Sequence, residues 1–138
     1  MKQKILSKII SAVLILLFVY AAISKIMDFQ NFRIQMLRQP FPDWLANMLT
    51  WALPPGELII AGWLATRRTR LTGLYCSMIL LISFTGYVAL MLTGAFGKIP
   101  CACGGVFASL GWNAHLLLNI LFALLALLGI MFEKNGSR

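Results

Sequence analysis

Charge is what this 138-residue chain has least of: Asp, Glu, Lys and Arg make up 12% of it, against a hydrophobic share of 60%. A soluble domain carries about 25% charged residues, so the composition excludes an ordinary soluble fold and indicates an integral membrane protein. Acidic residues are scarcer still, with 4 (Asp28, Asp43, Glu57 and Glu133) against 12 Lys and Arg, for a formal net charge of +8. That excess does not point to nucleic acid. The basic residues gather at the ends of apolar runs instead of forming a stripe interleaved with aromatics. The chain has 3 cysteines and 1 histidine. A C-x-x-C motif is absent, and Cys101 and Cys103 are the one close pair, so a relay through two cysteine pairs within one polypeptide is not available. No repeat, low-complexity tract or linker divides the sequence, and its length suits a single integral membrane domain, 1–138.

What is present is a series of apolar runs. Four of them, at about 5–24, 44–66, 71–93 and 113–132, approach or exceed the roughly 20 residues that cross a bilayer core. The expected fold is an all-α membrane protein, a four-transmembrane-helix bundle. Lys2, Lys4 and Lys8 ahead of the run from Ile9 to Ile23 resemble a signal peptide, but the run exceeds a typical h-region and reads as a retained first span. Between Ser24 and Pro42, Ile26, Phe29, Phe32, Met36 and Leu37 recur at helical spacing among Lys25, Asp28, Arg33 and Arg38. This predicts an interfacial amphipathic segment after helix 1, ended by Pro40 and Pro42, whose aromatics cover the mouth of the bundle. Pro54 and Pro55 remove two backbone donors, which predicts a broken helix 2. Glu57 then has two readings. A carboxylate there caps the second half-helix, or it is a functional group, as intramembrane ionisable residues are by default. An ion pair with Lys25 inside the bundle is also expected, the broken helix closing the difference in depth.

Four spans put both termini on one side. Lys2, Lys4, Lys8, Arg67, Arg68, Arg70, Lys134 and Arg138 fall there, against Lys25, Arg33, Arg38 and Lys98 on the other. The positive-inside rule makes the first side cytoplasmic, in a bacterial inner membrane. The loop between the third and fourth spans is then periplasmic, in an oxidising compartment. It carries Pro100, Cys101, Ala102, Cys103, Gly104 and Gly105. A disulfide between residues i and i+2 requires a sharp bend, which Gly104 and Gly105 permit, and such a strained, exposed bond is the exchangeable kind. The alternative is a pair of loop cysteines with no turnover. A metal reading would use Cys101, Cys103 and His115, but a closed zinc site wants a fourth ligand and none is evident. Cys76, far from the loop along the third span, reads as a small buried hydrophobe.

His115 and Asn119 are four residues apart and share a helix face, with Asn113 a candidate cap. Two roles stand for His115: proton acceptor or thiolate stabiliser for the loop thiols, or a structural imidazole bonded to a loop carbonyl.

Ser24, Lys25, Ile26, Met27, Asp28, Phe29 and Phe32 after the first span, the Pro55 to Glu57 step, and the Cys101 to Gly105 loop followed by His115 and Asn119 together resemble the MauE branch of the DoxX-like membrane proteins. The resemblance spans nearly the whole chain. It implies a four-helix bundle acting in methylamine utilisation as a membrane factor linked to disulfide formation in a periplasmic partner. Among the wider relatives is the small subunit of a thiosulfate:quinone oxidoreductase, so the resemblance also allows a quinone partner. The architecture is similar, by analogy, to quinone-coupled thiol oxidases of the vitamin K epoxide reductase kind.

The resulting expectation is an inner-membrane thiol-disulfide redox protein. Its Cys101 and Cys103, with His115, exchange electrons with an extracytoplasmic partner or a quinone-linked carrier, supported by Lys25, Glu57, Gly104, Gly105 and Asn119. The rival is a non-enzymatic small membrane subunit or scaffold of a larger export, respiratory or assembly complex, its cysteines serving as a staple.

Overall fold

A computed structural model describes residues 2–39, 42–93 and 111–136. Among these the chain is wholly helical: α1 (Lys2–Met27), α2 (Phe29–Leu37), α3 (Asp43–Ala65), α4 (Arg70–Leu92) and α5 (Gly111–Gly136). The four long helices form an antiparallel bundle in which α1 packs on α3 and α5, and α4 packs on α3 and α5, while the short α2 rests on α3. Three segments, Lys2–Met27, Arg70–Leu90 and Asn113–Gly136, are long and apolar enough to cross a membrane.

The core follows from helical periodicity. Ile10, Leu14, Phe18 and Ala22 recur every fourth residue on α1 and are buried, the first three against Ile60, Ala61 and Leu64 of α3, Leu74 and Leu81 of α4, and Ala126 and Ile130 of α5. Large apolar side chains such as Leu16, Ile79, Ile82 and Leu124 point outward. That pattern suits a lipid solvent, where apolar side chains gain little by leaving the surroundings and helices associate through close packing of small residues. Ala22, Ala61 and Ala126 are fully or nearly fully buried, and a Cβ on Gly73 would come within 3.0 Å of the Leu64 backbone nitrogen. At the same end, Ser7 of α1 donates a hydrogen bond to Glu133 of α5. The turn from α3 to α4 is held by its own side chains: Thr69 Oγ1 donates to the Trp63 carbonyl at 2.9 Å and Arg70 Nε to the Leu64 carbonyl at 3.3 Å. These contacts satisfy acceptors that a helix C-terminus leaves free.

The expected break in helix 2 is absent. α3 runs without interruption through Pro54 and Pro55. Its buried stripe, Ala46, Thr50, Pro54, Glu57, Ile60, Ala61 and Leu64, keeps helical spacing across both prolines, so packing holds the segment together where its backbone has lost donors. The half-helix terminus that Glu57 was expected to cap is therefore missing as well. Helix bounds also move. α1 extends past both edges of 5–24, and α5 begins at Gly111, which puts Asn113 inside the first turn, exposed, and not at the cap.

The short helix after α1 is present, with a narrower apolar face than its spacing predicted. Phe32 and Met36 are buried against Ala46, with Phe29, Leu49 and Leu53 packed around them. Ile26 and Leu37 are exposed, Ile26 because it belongs to the last turn of α1. Asp28 is the joint between α1 and α2, with φ −125° and ψ 53°, and Asn31 Nδ2 donates to its carboxylate at 3.2 Å.

Candidate functional site

Four of the polar residues singled out from the sequence meet in one place. Lys25, in the last turn of α1, donates from Nζ to Glu57 Oε1 of α3 at 2.7 Å, and both side chains are 2% exposed. The expected ion pair is formed. It needs no helix break, because Glu57 sits about 21 Å of helical rise after Asp43. The first turns of α3 pass beyond the end of α1 and pack on α2, leaving Glu57 level with Lys25.

Lys25 Nζ also lies 5.8 Å from the centroid of the Phe32 ring, so α2 covers the cation with an aromatic face. His115 and Asn119, one turn apart on α5, are buried at 4% and 7% exposure. They line a cavity with Lys25 and Glu57, and Phe18, Leu81, Phe84 and Phe122 form much of its apolar wall. The cavity gives about 40 Å³ to the centres of water-sized molecules. Glu57 Oε2 and Asn119 Nδ2 have no hydrogen-bond partner among the described residues. Such groups, buried, are expensive to leave unsatisfied.

Cys101, Cys103, Gly104 and Gly105 lie outside the described residues, as do the side chain of Trp112 and the proposed geometry of the cysteine loop. Cys76 is a half-buried free thiol packed against the apolar core, in keeping with a small hydrophobic role.

The cavity wall was not anticipated from the sequence. Phe18 lies seven residues before Lys25, and Phe122 seven after His115, so each shares a helix face with a polar member of the site. That spacing was the available signal. Leu81 and Phe84 of α4 carry no such mark, since α4 contributes no polar group to the cavity.

A family profile described as methylamine utilisation protein MauE matches residues 3–132. The chain belongs to the MauE family. The match runs from the start of α1 to residue 132 within α5, so in this MauE-family membrane protein the Lys25, Glu57, His115 and Asn119 cluster sits inside the shared region. No curated protein and no solved structure matches the chain.

A quinone, allowed by the earlier resemblance, does not fit the polar cavity of this MauE-family chain. A benzene ring occupies a cavity of about 150 Å³, well above the space between Lys25, Glu57, His115 and Asn119. A roomier crevice of about 240 Å³ lies between α1, α2 and α3, lined by Ile26, Phe29, Thr50, Trp51, Pro54 and Pro55. Its hydroxyl, Thr50 Oγ1, already donates to the Ala46 carbonyl at 2.7 Å. Among the described residues, neither space joins room for a ring to side-chain donors aimed at it.

Proposed function

We propose that this protein is an inner-membrane thiol-disulfide factor whose Cys101 and Cys103 exchange electrons with an extracytoplasmic protein partner. In this reading α3 is a fourth span, α2 lies at the outer interface, both termini are cytoplasmic and the cysteine segment is periplasmic. The observation that supports it best is the buried Lys25–Glu57 pair with His115 and Asn119. A lipid-facing scaffold has no need of an ion pair, an imidazole and an amide enclosed together, and ionisable groups at membrane depth mark function. This cluster lies toward the end of the bundle where α4 finishes at Leu92 and α5 starts at Gly111, the two anchor points of the segment that contains both cysteines.

The exchange is a balanced two-electron step. A partner thiolate attacks one sulfur of the Cys101–Cys103 disulfide, that bond breaks, and the other cysteine leaves as a thiolate. A second partner thiol then displaces the mixed disulfide, leaving the partner oxidised and the Cys101–Cys103 pair reduced with two protons; the reverse sequence reduces the partner. Lys25, Glu57, His115 and Asn119 support the end of the bundle that presents the pair.

Trapping tests it. In native membranes a Cys103→Ser variant should accumulate a mixed disulfide through Cys101, or Cys101→Ser one through Cys103, visible as a thiol-sensitive shift on a gel. Absence of any adduct from both variants, at normal protein level, removes the exchange reading and leaves a subunit whose cysteines are inert.

A further inference from the structure

Glu57 and Asn119 pose a complementary problem across the bundle. Glu57 Oε2 is an acceptor and Asn119 Nδ2 a donor, both buried and both without a partner among the described residues, and the two residues line the same cavity. Their helices, α3 and α5, are diagonal neighbours whose backbones do not come close to one another. The Lys25–Glu57 bond ties α1 to α3, and among the described residues Asn119 Nδ2 of α5 has no partner that extends it.

The chemistry of the lining selects the occupant. An anion meets the Glu57 carboxylate, a cation meets Lys25, and an apolar molecule leaves both orphaned atoms as they are. A small neutral molecule that both donates and accepts satisfies them together. A water needs about 10–15 Å³ of such space and two to four polar partners. The cavity, at about 40 Å³, meets the first condition, and Glu57 and Asn119 meet the second.

We propose that this cavity binds water as a standing ligand, one molecule or a chain of two, donating to Glu57 Oε2 and accepting from Asn119 Nδ2. The bound water converts a two-helix ion pair into a lock across α1, α3 and α5. Asn119 is then a positioning residue that fixes the Glu57 carboxylate through water. The inference stands on the cavity alone and does not depend on the cysteine pair.

The direct test uses the intact chain in lipid nanodiscs, labelled with ¹⁵N-asparagine, and reads magnetisation transfer from water to side-chain amides. Transfer to the Asn119 amide is expected, as it is to that of exposed Asn31. Transfer to Asn31 with none to Asn119 means a dry cavity and overturns the proposal. Two variants give an independent readout through Tm. Asn119→Leu keeps the side-chain bulk and excludes water, whereas Asn119→Ala makes room for more. A wet site predicts the larger fall for Asn119→Leu, about 4 °C or more. A dry site predicts the opposite order, because filling the space with an apolar group of similar shape removes an orphaned amide while truncation leaves a hole.

Discussion

Lys25 and Glu57 place one charge of each sign, 2.7 Å apart, where almost no solvent reaches. Desolvating two ions costs several kcal/mol each, and their attraction offsets that cost only while both are present. Removing one is therefore worse than removing both. Glu57→Ala or Lys25→Ala should destabilise the fold by about 3–5 kcal/mol, whereas the double replacement Lys25→Met with Glu57→Leu should be near neutral or more stable. Thermal unfolding in detergent checks the ordering. A folded double variant that no longer forms the cysteine adduct would make the pair functional; one that forms it normally would make the pair a fastener. The pairing was legible because both residues are ionisable within apolar surroundings, and His115 with Asn119 because four residues return a helix to the same face. The Ser7 to Glu133 bond was not legible. Its partners are 126 residues apart, and no local pattern on α1 or α5 announces which serine meets the carboxylate.

α3 shows how an element-level rule can fail when packing overrides it. Two prolines predicted an interruption, yet the helix persists because buried residues on both sides of them follow one stripe. Pro54 contributes to that stripe itself, and Trp51, one turn before Pro55, packs at a tilt against Phe29 of α2 with ring centroids 4.9 Å apart. Thus α2 supports the outer part of α3 that the backbone alone supports least. The apolar runs announced four long helices because their period and length are local properties, whereas the extent to which α3 overshoots α1 depends on α2, a tertiary fact. Glycine positions on α4 separate the two influences. A Cβ at Gly73 would press on the backbone and side chain of Leu64, while one at Gly86 meets nothing within 4 Å. Gly73→Ala should then cost about 1–3 kcal/mol through overpacking. Gly86→Ala should stabilise α4 by about 0.5–1 kcal/mol by restricting the unfolded backbone. Opposite shifts in Tm for two identical substitutions on one helix would confirm that packing at the α3–α4 turn sets the difference.

At the scale of the whole molecule most of the basic residues lie at the end of the bundle opposite the buried polar cluster. Lys134 lies over the Tyr75 ring, and a Cβ at Gly136 would touch Lys4, so the start of α1, the end of α5 and the turn carrying Arg67, Arg68 and Arg70 share one end. Lys25 is the cation enclosed toward the other end, where exposed Arg33 and Arg38 of the α2 region also lie. By the positive-inside rule such an asymmetry predicts that the end richer in lysine and arginine faces the cytoplasm. With native cysteines replaced by serine, a membrane-impermeant thiol reagent added to intact spheroplasts should label Asn31→Cys, and should reach Arg68→Cys only after the membrane is opened. The reverse pattern would place the segment between α4 and α5 in reducing cytosol, where a disulfide between Cys101 and Cys103 would not persist. The Lys25–Glu57 cluster would then still have to be explained, but as part of a bundle whose chemistry faces inward.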